Sequence, residues 1–278
     1  MNDDFLKPED YAEPQCLLCG GPYGKAPEVK PVPQQRIAQK LDEYMSRRDY
    51  AGAGRHLLYW LEEAVLGNDL RGQLMLRNEL VGHYRKTGEK EKAFANAEEA
   101  LKLLDALEFD GTISSGTTYV NTATAYNAFG ENRKSLELFE KAKKVYEAAP
   151  KTEPGLLGGL YNNMALTCSA LQDYDRAMEL YHKAFDIMGQ VPSGQLEQAV
   201  TNLNMADTIE KMKGMEQGEK EIFDLLDQAY DLLVHSGAEH NGYYAFVLEK
   251  CAPAFSYYGY FMAAEELKQT AEKIYEGA

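Results

Sequence analysis

The amino-acid sequence predicts an all-α solenoid of about six stacked helical hairpins, and three observations carry that prediction. Residues 160–188, LYNNMALTCSALQDYDRAMELYHKAFDIM, read as two short amphipathic helices. Tyr161, Met164, Ala165 and Cys168 share one stripe, and Ala177, Leu180, Tyr181, Ala184, Ile187 and Met188 share another, both at the three-and-four spacing of a helix. A polar break, Gln172-Asp173-Tyr174, separates them. The same break recurs at Gly88 and Gly130, so the step from Gly88 to Gly130 to Gln172 is 42 residues each time. Finally, such a hairpin cannot bury both stripes alone and needs neighbours of its own kind on either side.

Residues 1–33 stand apart: they hold six of the ten prolines, with Gly20, Gly21 and Gly24 among them and no helical stripe, which predicts an extended leader. The first hairpin, about 34–66, puts Ile37, Leu41 and Tyr44 before the break Arg48-Asp49-Tyr50 and Ala53, Leu57, Trp60 and Ala64 after it. The second, about 69–107, turns at Gly88 between Tyr84 and the pair Ala93 and Ala100. The third, about 112–149, turns at Gly130, with Ala123 and Tyr126 before it and Ser135, Leu138, Phe139 and Ala142 after it. The fourth, about 155–189, is the hairpin already described. In the fifth, about 194–235, Ala206 and Ile209 precede a longer turn over residues 213–218, which predicts a slip of register before Leu225, Leu226 and Ala229. The sixth, about 241–275, turns at Gly259 and is rich in aromatics: Tyr243, Tyr244, Phe246, Phe255, Tyr257, Tyr258, Tyr260 and Phe261. These either complete the last core layer and present hydroxyls to water, or form a patch for self-association. The state is accordingly monomer or homodimer.

A small residue in the first helix, an aromatic three residues on, a glycine or polar turn, then alanines seven apart in the second helix: this pattern resembles the tetratricopeptide (TPR) family over residues 34–275. The 42-residue unit, longer than the common repeat of about 34 residues, is similar to those of kinesin light chain and of bacterial peptide-sensing TPR proteins. The resemblance implies a right-handed superhelix with first helices on the concave wall and second helices outside. It also implies a non-catalytic adaptor or sensor that binds a protein or peptide.

The site residues follow from spacing. Asn121, Asn163 and Asn204 each stand two residues before a small core alanine, so two steps of about 100° turn them away from the core. Asn78, with Glu79, continues the row in the second hairpin. An amide offers both donor and acceptor, so such a ladder suits the backbone of an extended peptide; the same row would equally serve to fix the stacking of adjacent helices. Thr117, Thr124 and Asp207 lie three or four residues from the ladder, and Asn127, Glu210, Lys211, Arg85 and Lys86 lie six to eight residues along the same helices; all are expected on the inner wall. Charge on this wall is mixed. Only Arg77, Asn78, Arg85 and Lys86 approach a carboxylate clamp, and the acidity of the last two hairpins favours a segment with basic or neutral side chains.

Composition narrows the function further. A net charge of −15 argues against nucleic acid, whose phosphates require a basic surface. With no long apolar run and no basic-then-apolar start, the sequence predicts a cytoplasmic protein without membrane partners. Cys16 and Cys19 have the spacing of a zinc knuckle, which supplies two of the four ligands of a structural zinc. The second pair is missing, since Cys168 and Cys251 fall at core positions of helices, so an exposed thiol pair is the competing reading. An alternative function, a zinc- or thiol-dependent module docked by the repeats, would rest on that pair. No phosphate loop, HExxH pair or nucleophile elbow occurs, and the five histidines are scattered, so no catalytic residue is predicted. The leader is too short and proline-rich for the catalytic bundle or DNA-binding unit that precedes the repeats in the bacterial relatives.

Overall fold

The computed structural model describes residues 29–235 and 237–277, and within them the chain is α-helical, with twelve helices paired into six hairpins. They run α1 Gln34–Ser46, α2 Tyr50–Leu66, α3 Leu70–Thr87, α4 Lys90–Ala106, α5 Ile113–Ala128, α6 Asn132–Ala148, α7 Pro154–Ala170, α8 Tyr174–Met188, α9 Gln195–Lys213, α10 Met215–Val234, α11 Gly242–Tyr257 and α12 Phe261–Glu276. Helices are brought together by residues seven apart on the second member of hairpins two to six. Ala93 and Ala100, Ser135 and Ala142, Ala177 and Ala184, Ile222 and Ala229, and Ala264 and Ala271 are all buried. A two-turn repeat of small residues lets the outer helices come close to their partners while Leu80, Phe139, Tyr181 and Phe255 fill the layers between. Burying one such large side chain stabilises by about 1.5–3 kcal/mol.

Local signals set the helix boundaries. Asp49, Asp69, Thr112 and Asn241 cap α2, α3, α5 and α11 by accepting backbone N–H bonds. Asp69 works twice, accepting from Gly72 N at 2.9 Å and from Val32 N at 2.9 Å, so the non-helical stretch 29–33 is fastened to the turn between α2 and α3. Residues of positive φ end the first helix of each hairpin: Arg48, Gly88, Gly130, Gln172, Gly214 and Gly259.

One expectation is corrected in the fifth hairpin. No long turn separates its helices and the register does not slip: α9 ends at Lys213, α10 begins at Met215, and Gly214 alone makes the turn. That places Gly214 42 residues after Gln172, in step with the turns before it. Gly218, which suggested the end of a loop, lies inside α10, where a Cβ would come within 2.8 Å of Ile209.

The first helices of successive hairpins touch one another, α3 with α5, α5 with α7, α7 with α9 and α9 with α11, and so form the inner wall. The stack also meets itself: α1 touches α11. Arg48 pairs with Glu249 at 3.0 Å and lies over the Tyr275 ring at 4.0 Å, and Lys86 lies between the rings of Tyr50, at 4.7 Å, and Phe246, at 4.6 Å.

Candidate functional site

The inner wall is built from short polar side chains. In α5, Ser115, Thr118 and Thr122 are buried, and Gly116 admits the Tyr146 ring so closely that a Cβ would sit 2.3 Å from it. Such small residues bring the inner helices near enough for amides to bridge them. Asn121 donates to Asn78 Oδ1 at 3.2 Å, while Asn78 donates to Thr118 Oγ1 and to its own helix at Leu74 O, both at 3.0 Å. Two hairpins further on, Asn204 donates to Asn162 Oδ1 at 3.1 Å, and Thr201 donates to the same oxygen at 3.2 Å.

The row of asparagines is therefore of two kinds. Asn78 has both amide protons and a carbonyl lone pair committed. Asn121 and Asn204 each commit one proton, leaving a second proton and the carbonyl. Asn163, half-buried on α7, has no side-chain partner among the described residues. Asn162, buried beside it, is not expected from the sequence; it ties α7 to α9, as does Ser169, whose Oγ accepts from Thr208 Oγ1 at 3.0 Å.

The remaining predicted residues are dispersed. Thr124 bonds back to Val120 O at 2.8 Å, Asn127 donates to Asn132 Oδ1 at 3.1 Å across the α5–α6 turn, and Asp207 pairs with Lys211 at 2.6 Å. Thr117 meets the Tyr146 hydroxyl at 2.9 Å. Arg77 turns toward α4, where it donates to Asn96 Oδ1 at 3.1 Å, which removes it from any clamp on the inner wall. A cavity of about 510 Å³ between α3 and α5 is lined by Asn78, Glu79, Thr117, Thr118 and Asn121. Arg85 instead faces a larger one, about 680 Å³, where α1 and α3 meet α11.

Toward the C-terminal end tyrosines hold the wall's carboxylates. Tyr257 and Tyr258 donate to the two oxygens of Glu210 at 2.9 and 2.8 Å, and Tyr243 donates to Glu197. Burial first, then the adjoining carboxylate, pushes the Tyr243 and Tyr258 hydroxyls far above the ordinary range, so they stay donors. The aromatic cluster of the sixth hairpin thus fixes Glu197 and Glu210 of α9.

Cys16 and Cys19 lie outside the described residues. Cys168 and Cys251 are buried, and burial raises their thiols to about 11 and about 12. A protonated, enclosed thiol is neither a nucleophile nor a ready metal ligand. Among the described residues no group of three or more His, Cys, Asp or Glu could hold a metal ion, and no helix is long and apolar enough to cross a membrane.

An all-α solenoid of paired helices stacked in six hairpins is a TPR-type scaffold. Comparison with known proteins agrees at the level of fold: the tetratricopeptide repeat model matches residues 159–187. Among solved structures, the nearly identical TPR-like repeats of a candidate kinesin light chain from Podosopora anserina are similar at 18% identity. The match covers 73% of this chain and 94% of that one, with a TM-score of 0.50. A single-substitution variant of the same repeats gives 0.51 at the same identity and coverage. BtubC (BKLC) from P. vanneervenii matches at 17% identity over 89% of this chain and 92% of its own, with a TM-score of 0.48. No curated protein matches. The chain therefore has a TPR-repeat fold with distant similarity to kinesin-light-chain-type arrays.

Proposed function

We propose that the chain is a non-catalytic adaptor or sensor whose channel holds an extended protein or peptide segment. The observation that carries this reading is Asn163, a half-buried amide on the inner wall with neither donor nor acceptor engaged among the described residues. Its amide reaches solvent and is free to pair, and the backbone of an extended segment supplies N–H and C=O groups that match it. Asn121 and Asn204, each half-committed, extend the same function along the row, with Asn78 as the support of Asn121. Glu197 and Glu210, fixed by tyrosines, favour basic side chains on the guest.

Asn163→Ala separates this function from helix stacking, because it removes no hydrogen bond within the chain. Peptides selected from a random display library on the wild-type protein should bind Asn163→Ala at least about tenfold more weakly, with the unfolding midpoint unchanged. A lowered midpoint with undiminished binding would assign the residue to the scaffold and overturn the reading.

A further inference from the structure

Of the four most exposed large hydrophobic side chains among the described residues, three stand on one edge of the stack, at the turn of the last hairpin: Met262 at 86%, Tyr257 at 71% and Phe261 at 68%. Met212 and Met215, more than a third exposed, flank the neighbouring turn at Gly214. The two turns are fixed side by side. Tyr257 and Tyr258 donate to Glu210 near the end of α9, and Tyr260 donates to Asp227 of α10 at 2.7 Å, with its ring 5.9 Å from that of Phe223. Tyr257 and Phe261 alone present on the order of 250 Å², and with the methionines the edge reaches the size that on a monomer is often functional. The core beneath does not need these side chains, because Phe255, Ala264 and Leu267 already close it.

Charge selects the partner. Residues 195–276 hold fifteen Asp and Glu against six Lys and no Arg, so the last two hairpins carry −9 of the chain's −15. Glu265 and Glu266 stand one helical turn from Phe261 and Met262, and Glu216 adjoins Met215. The two cations beside the α9–α10 turn are already engaged, Lys211 by Asp207 and Lys213 by Glu221, both at 2.6 Å. A second copy would set one acidic edge against another, which opposes pairing of this edge with itself. Methionine, unbranched and polarisable, accommodates apolar side chains of varied shape. We propose that this edge docks a basic amphipathic helix of a partner protein, its apolar face on Tyr257, Phe261 and Met262 and its Lys and Arg side chains on the flanking carboxylates. The proposal does not depend on the channel reading, since Asn163 lies on α7, two hairpins away.

Fluorescence anisotropy with the full chain tests it, using the labelled peptide LKKLLKLLKKLLKL, the same peptide with glutamate in place of lysine, and the same peptide with serine in place of leucine. The first should bind one per chain, more weakly as salt rises from about 0.05 to about 0.5 M, and the other two should not bind. Phe261→Ser/Met262→Ser should weaken the first by about tenfold or more and Glu265→Lys by about fivefold, while Asn163→Ala leaves it in place. All three side chains at the edge stand in solvent, so these variants keep the fold. Undiminished binding to Phe261→Ser/Met262→Ser overturns the proposal, as does a glutamate peptide that binds as tightly as the lysine one. A wild-type dimer in sedimentation that the same double variant abolishes would give the edge to a second copy, and tighter binding to phosphatidylcholine vesicles than to the peptide would give it to a lipid surface; either result also overturns the proposal.

Discussion

At the scale of single residues the chain separates groups that hold the fold from groups that burden it. Asn162 and Asn163 are neighbours in sequence with opposite fates, one buried as an acceptor between helices and one without a partner. A rotation of about 100° about the helix axis distinguishes them, finer than a hydrophobic stripe can fix, which is why the ladder can be read from the sequence but its buried support cannot. Glu79 belongs to the burdening kind, facing Asp42 from α1 with His83, Arg85 and Lys86 nearby on α3. Its carboxyl holds a proton to higher pH in the folded chain than in the unfolded one. Between those two points the folded state binds more protons, so stability falls as pH rises, and above the folded pKa the whole penalty stands. Glu79→Gln should therefore stabilise the chain near neutral pH, on the order of 0.5 kcal/mol because the carboxylate still meets solvent. The gain should vanish below about pH 4, where the carboxyl is protonated in both states. Urea unfolding of both proteins across this range checks it; an equal gain at every pH would mean that the charge is not the cause.

At the scale of the element, the hairpins are legible because two periodicities coincide: the stripe within each helix and the step of 42 residues between turns. The fifth hairpin is misread because Gly214 and Gly218 look alike in a sequence and act differently. Gly218 is small for the sake of packing on Ile209, whereas Gly214 is needed for its backbone, at φ 80 and ψ 160. That region is open to essentially no residue but glycine, whereas Gly88, at φ 78 and ψ 17, has ordinary left-handed geometry that other residues adopt at modest cost. Arg48 and Gln172 make equivalent turns with side chains present. Gly88→Ala should accordingly cost about 1 kcal/mol and Gly214→Ala more, up to about 3 kcal/mol. Equal losses in urea unfolding would show that the α9–α10 turn relaxes into the left-handed form of its neighbours.

For the molecule as a whole, the meeting of first and last hairpins cannot be read from the sequence, because it depends on a small rotation per repeat accumulated over the stack. It is also a different kind of contact. Neighbouring hairpins are joined by buried leucines, alanines and aromatics, whereas the seam rests on a half-exposed Arg48–Glu249 pair and on cations over the rings of Tyr50, Phe246 and Tyr275. An exposed ion pair contributes about 0–1 kcal/mol and each cation–π contact about 0.5–1 kcal/mol, so the stack can part here at far less cost than between any two hairpins. Separation at this place would open the channel sideways to a guest segment. Ser46 and Gly242 allow the closed form to be trapped: a Cβ on Gly242 would lie 3.6 Å from that of Ser46, within the roughly 3.5–4.5 Å of a disulfide. Ser46→Cys/Gly242→Cys should cross-link on mild oxidation, with a stabilisation of about 2–4 kcal/mol that a reductant reverses. Adding Arg48→Glu should lower the yield, and adding Glu249→Arg to that should restore it, because the ion pair is then rebuilt in reverse. Thiols still free at positions 46 and 242 in a folded, monomeric chain under oxidising conditions would mean that the ends stand apart in solution, and the seam would then gate nothing.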